Sequence, residues 1–164
     1  MTKALTVRHP WAWAIIHGGK LIENRTARTH WRGPIAIHAA TSWSTRGQHD
    51  QRVRQALADW VDQRSPRYLG VPIEQRRDVD SLLGLRTWWT MGAIIGTAQL
   101  VGCHPDVGCC RPWGESSYVE AGGRTRTALW HWVLADPVAL DQPVPCLGKL
   151  GLWNVEPWIA AEVP

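Results

Sequence analysis

The chain has 164 residues, a net charge of +4 and 45% apolar residues, with twelve tryptophans, two tyrosines and no phenylalanine. A chain of this length buries roughly 70% of its unfolded surface as one unit, so its core needs no disulfide staples. The four cysteines follow no secreted-scaffold spacing, no apolar run approaches the roughly 20 residues of a membrane span, and no signal-peptide pattern opens the chain, so a soluble cytoplasmic protein without a membrane partner is expected.

Ala4 to Val7 is a short apolar strand, and Pro10 opens a helix where its missing N–H costs nothing. Trp11 and Ile15, Ala12 and Ile16, and Trp13 and His17 each sit one turn apart along it. Gly18 or Gly19 ends this helix in the left-handed conformation that other residues resist, and Lys20 falls just past the end. Leu21 to Arg25 is extended, so Glu23 and Arg25 project from one face. The octet Gly18–Arg25 therefore sets a cation, an anion and a second cation around the mouth of a turn. A basic loop with Arg28, His30, Trp31 and Arg32 follows, then Gly33-Pro34, then a strand over Ile35 to Ala39 with Ile35 and Ile37 on one face. Thr41 to Thr45 is polar and precedes a helix from about Arg46 to Gln63, in which Val53, Leu57, Trp60 and Val61 recur at helical spacing.

Residues 64–90, broken by Pro66 and Pro72, read as an insertion or lid with a polar helix over about Ile73 to Leu83. Met91 to Val101 is a buried strand, and residues 103–126 are a long loop rich in Gly, Cys and Pro. Ala128 to Leu134 is a strand that sets Leu129, His131 and Val133 opposite Trp130, Trp132 and Leu134. A last strand runs from about Gly148 to Val155. Short strands, many turns and two or three helices make an α+β, barrel-like single domain over residues 1–164.

Charge is spread unevenly. Residues 1–54 hold nine Lys/Arg against Glu23 and Asp50, a net of +7, while the remainder holds nine against twelve acids, a net of −3. A basic first third suits a face aimed at a polyanion, and an excess of arginine over lysine of 15 to 3 favours planar, bidentate contacts. Arg8, Arg28, Arg32 and Arg46 are candidate phosphate contacts. Trp31 and Trp43, in loops beside basic or hydroxyl residues, are candidate stacking platforms, where each base is worth about 1–3 kcal/mol; Trp11 is a third, although its stripe with Ile15 reads foremost as core. Lys20 can meet a phosphate, act as a base or nucleophile, or pair with Glu23. Glu23 can orient Lys20, accept a proton or accept hydrogen bonds from a base edge, and Arg25 offers a planar fork to phosphate or clamps Glu23. His38 reads as a buried strand histidine or a catalyst, and Ser42 as a phosphate donor or a helix cap. Cys103, His104, Cys109 and Cys110 place four soft ligands in eight residues. Their adjacent pairs depart from the C-x2–4-C spacing of closed zinc sites, so no cofactor is expected, with structural zinc as the alternative.

The octet fits G-x-K-x-x-E-x-R. Together with Leu5–Ala12, Arg32–Ala39, Gly96–Val101 and Lys149–Trp153 it resembles the ASCH (activating signal cointegrator homology) domain over nearly the whole chain outside residues 64–90 and 103–126. The resemblance implies a PUA-like fold, a small β pseudobarrel with two or three flanking helices. It also implies a cleft lined by the octet, with Lys149 facing it, that takes single-stranded RNA or DNA or a nucleotide. Some members of this family hydrolyse RNA or acylated nucleosides, so a metal-independent hydrolase using Lys20 and Glu23 is the alternative, and a protein-interaction module with a basic face is a third reading. Relatives that hydrolyse acylated cytidine carry a threonine where Glu23 stands, and that activity does not carry over intact to a chain lacking the hydroxyl. The oligomeric state is not readable from the sequence.

Overall fold

Alternation of side chains across three strands builds two apolar faces on one sheet. Leu5, Ile35, Ile37 and Leu100 face one side, where Ala12, Ile15 and Ile16 of the first helix cover them. Ala4, Ala36 and Ile94 face the other, beneath Trp153, Val155, Ile159 and Val163. A one-residue slip would exchange the two sets, so the register is strongly specified.

A computed structural model describes residues 2–119 and 126–163. Its strands are β1 Lys3–His9, β2 Ile22–Arg25, β3 Gly33–Trp43, β4 Ala93–Pro105, β5 Ser117–Val119, β6 Arg126–Ala128, β7 Trp130–Pro145 and β8 Leu152–Asn154; its α-helices are α1 Trp11–His17, α2 Thr45–Gln48, α3 Gln51–Arg64, α4 Arg77–Gly84 and α5 Pro157–Ala160. Six strands form a mixed sheet in the order β2-β7-β4-β3-β1-β8, in which only β1 and β3 run parallel, and β5 and β6 form a separate two-stranded ladder. The expected α+β class with a few flanking helices is present. The sheet is not closed into a barrel by backbone pairing: β2 and β8 are its edges. It is nevertheless strongly curled, because Arg25 on edge strand β2 reaches β1, four places along the sheet, and donates from Nη2 to the Thr6 carbonyl at 2.8 Å.

Several boundaries differ from the sequence reading, each for a local reason. The helix expected over Arg46 to Gln63 is two helices, because Ser44 caps α2 by accepting from Gly47 N and Asp50 caps α3 by accepting from Arg52 N. Ser42 is therefore not the cap. The polar helix of residues 73–83 is a 3₁₀ turn over Ile73–Gln75 followed by α4. Residues 64–90 are largely exposed but anchored by Val79, Leu83 and Trp89, which are buried against Trp13 of α1 and Val53 and Leu57 of α3. Arg76 ties this region to α3 by pairing with both Asp78 (2.8 Å) and Asp62 (3.0 Å). The loop expected over 103–126 begins later, since β4 runs on to Pro105, and it contains β5; its residues 120–125 lie outside the described residues. Strand β7 continues to Pro145, well past the expected end at Leu134, turning at Asp136, which adopts φ +48°. The last strand is shorter than expected, and α5 follows it. Among the described residues no helix is long and apolar enough to cross a membrane.

Candidate nucleic-acid interface

The octet folds as its residue types dictate. Gly19, at φ +68°, makes the left-handed turn after α1, and Lys20 N returns to the Ala14 carbonyl at 2.9 Å. Lys20 then points inward and is only 2% exposed. Its Nζ donates to Glu23 Oε2 at 2.6 Å and to the Ile22 carbonyl at 2.5 Å. Glu23 and Arg25 share a strand face, and Arg25 Nε lies 3.0 Å from Glu23 Oε1. Burial pushes the Glu23 carboxyl up, but Lys20 and Arg25 beside it more than reverse this and hold it below its ordinary value. The cation–anion–cation trio is thus an ion-paired clamp whose central carboxylate is charged at neutral pH.

The curl of the sheet opens a cleft of about 500 Å³ between β1 and β2, lined by Arg8, Trp11, Glu23, Arg25, Ser42 and Lys149 together with Thr6, Asn24 and the Gly148–Gly151 turn. A smaller recess of about 130 Å³ adjoins it through shared residues and is lined by Trp11, Lys20, Glu23, Asn24, Arg46 and Glu115. Trp11 is partly buried and belongs to both. Its Nε1 donates to Ser44 Oγ at 3.0 Å, and the charges of Lys20, Arg46 and Arg52 stand 5.8 to 6.0 Å from its rings. Arg8 is exposed at the cleft and carries no ion pair among the described residues. Lys149 is also exposed, with Nζ 3.4 Å from Glu156 Oε1.

The remaining sequence candidates stand elsewhere. Trp43 packs in an aromatic cluster with His9 and Trp89, at ring distances of 6.2 and 5.2 Å. Trp31 packs on the main core with Lys3 Nζ 5.4 Å from its ring centre. Arg28 stacks over Trp130 at 5.6 Å, and Arg32 donates to the carbonyls of Thr29 and Trp31. His38 is buried on β3, with Nε2 donating to the Cys146 carbonyl at 3.0 Å and burial lowering its pKa. It lies beneath the cleft floor, where a Cβ on Gly148 would come within 2.5 Å of its ring.

Sequence reasoning missed Asn24 and Glu115. Asn24 clamps the loop after β4, donating from Nδ2 to the Trp113 carbonyl (2.9 Å) and accepting from Glu115 N (3.0 Å). Glu115 in turn pairs with Arg46 (2.6 Å) and Arg52 (2.8 Å), so Arg46 reaches the recess already neutralised. The Asn24 position inside the octet was a usable signal; Glu115 is 91 residues away and gave none. The metal-ligating residues also regroup. Cys103 faces away from the other three candidates, opposite Trp132 in the β4–β7 ladder, and accepts from Thr29 N at 3.4 Å. Histidine 131 takes its place, and His104, Cys109, Cys110 and His131 lie together.

The family model for the ASCH domain matches residues 5–135, most of the chain. The chain belongs to the ASCH domain family. This family is part of the PUA-like superfamily, in keeping with the curled mixed sheet and its helices. No curated protein matches the chain in sequence.

Proposed function

We propose that this ASCH domain is a cytoplasmic module that binds single-stranded RNA, or a related single strand or nucleotide, in the cleft between β1 and β2. ASCH domains are generally thought to bind RNA. The observation that carries the reading for this chain is the grouping of Arg8, Arg25 and Lys149 with the Trp11 rings around one cleft of about 500 Å³. Cations there meet phosphates while an aromatic face takes a base, the combination that sequence-tolerant single-strand binders use. The buried clamp supports this by holding Arg25 in position without making the cleft anionic: Glu23 is balanced by Lys20.

The hydrolytic reading asks Lys20 to leave Glu23 and the Ile22 carbonyl before it can act as a base, and their short bonds support a positioning role instead. The test is fluorescence anisotropy with a labelled single-stranded RNA. The Arg8→Ala/Lys149→Ala double variant removes two exposed side chains and is expected to keep its thermal stability while its affinity falls at least tenfold. Unchanged affinity overturns the assignment of the cleft. Heparin that competes as well as unlabelled RNA would favour a basic face for acidic protein partners.

A further inference from the structure

We propose that His104, Cys109, Cys110 and His131 form a closed, structural zinc site that fixes the loop after β4. One ligand atom from each residue lies within 4.8 Å of every other. His104 and His131 are direct partners across the β4–β7 ladder, with ring centres 5.5 Å apart. The chain leaving β4 turns back over them, bringing Cys110 Sγ to 3.6 Å from His104 Nε2 and Cys109 Sγ to 3.9 Å from His104 Nδ1. Adjacent residues of an extended chain point apart, which makes a neighbouring cysteine pair look unsuited to one ion. Here Cys110 adopts φ +65°, and this left-handed turn brings both sulfurs to the His104 ring, Cys110 at Nε2 and Cys109 on the Nδ1 side, from which a side-chain rotation would carry it to the ion at Nε2. A tetrahedron with Zn–N near 2.0 Å and Zn–S near 2.3 Å has edges of about 3.3 to 3.8 Å. The Cys110–His104 pair already stands at that spacing, and the widest pair closes by about 1 Å, within the reach of side-chain rotation.

The surroundings prepare both histidines to ligate. His131 is fully buried, its Nε2 donates to the Glu115 carbonyl at 2.9 Å, and its Nδ1 has no partner among the described residues. His104 Nδ1 stands 2.8 Å from the Pro105 carbonyl, which leaves Nε2 toward Cys110. Fixing one ring nitrogen on a carbonyl and offering the other is how metal-bound histidines are oriented. Gly114 closes the loop over the group: a Cβ there would lie 2.7 Å from His131 Cε1 and 2.8 Å from Cys110 Cβ. Two sulfurs and two imidazoles select zinc over the hard cations, and four protein ligands leave no open position for catalysis. The same loop carries Trp113 and Glu115 to Asn24, so the site would brace one wall of the recess beside Trp11.

The test is metal analysis of the full chain, purified without added metal, and absorption spectroscopy of the chelator-stripped chain titrated with Co²⁺ alone. The expected results are one zinc per chain and the intense visible bands of tetrahedral, thiolate-bound cobalt. Cys103→Ser and Cys146→Ser should retain both signals, while Cys110→Ser and His131→Gln lose them with circular dichroism still reporting a folded sheet. Wild-type chain with neither stoichiometric metal nor a tetrahedral cobalt spectrum overturns the proposal. Loss of the signals in Cys103→Ser would overturn this ligand set.

Discussion

Replacing Glu23 by glutamine keeps the shape and a carbonyl acceptor but removes the charge that Lys20 was buried to meet. The two side chains are 3% (Lys20) and 11% (Glu23) exposed, so water cannot take over the role of the carboxylate. Removing one partner of such a buried pair costs about 3–5 kcal/mol, and the retained acceptor puts Glu23→Gln near the lower end, about 3 kcal/mol. In a chain of this size each kcal/mol moves Tm by about 2–4 °C, so Tm should fall by about 6–12 °C. The assay is thermal and urea unfolding followed by tryptophan fluorescence and circular dichroism, repeated across pH. The Glu23 carboxyl is held below its ordinary value of 4.5, so its contribution is complete above that value and is lost as pH falls through the lower, folded one. The gap between wild type and Glu23→Gln should therefore be constant at neutral pH and shrink below pH 4.5. Replacing the Lys20–Glu23 pair, Lys20→Met/Glu23→Leu, should recover part of the lost stability, because no lysine is then buried without its carboxylate, while Arg25 still loses its ion pair. A Glu23→Gln cost under about 0.5 kcal/mol at pH 7, the range of ordinary surface changes, would refute the clamp. So would a gap that is the same at pH 7 and in strong acid.

Other substitutions probe the cleft floor and the core. Gly148→Ala puts a Cβ 2.5 Å from His38 Cε1 and 2.8 Å from Thr6 Oγ1, and should cost about 1–3 kcal/mol in urea unfolding through overpacking. Arg25→Lys cannot reach both Glu23 and the Thr6 carbonyl, and loss of a charged hydrogen bond worth about 1.5–3 kcal/mol should appear as a lower urea midpoint together with weaker RNA binding. Burial lowers the pKa of His9 from 6.5 to about 4, against its bond to the Thr90 carbonyl, which raises it. A folded value below the unfolded one gives stability that is complete above pH 6.5 and lost as pH falls toward 4, about 3 kcal/mol in all. His9→Phe, which cannot titrate, should therefore be flatter across this window in a pH series of unfolding curves.

The octet was legible because its determinants are local: a glycine that accepts positive φ, a strand period of two, and three charges within one short span. The shared face of Ile35 and Ile37 on β3 was legible for the same reason. What failed depended on partners far along the chain. Trp43 reads as an exposed platform beside Ser42 and Ser44, yet it is half-buried against His9 of β1 and Trp89 of the segment before β4. The helix after Ser44 broke at His49-Asp50 because a capping aspartate restarts it, a signal that apolar periodicity hides. Strand β7 outran its reading because Asp136-Pro137 looks like turn chemistry, whereas the sheet absorbs it with a register shift. The sequence shows four metal-ligating residues within eight positions, but the ladder pairs His104 with His131, and only strand register reveals that.

The central claim is that the cleft holds a single strand through Arg8, Arg25 and Lys149, and a salt series of RNA affinities tests it most directly. Three phosphate contacts at about 0.7 each predict that log K falls against log[salt] with a slope near −2, reduced to about −0.7 in Arg8→Ala/Lys149→Ala. A slope near zero, or no binding at low salt, would contradict the account.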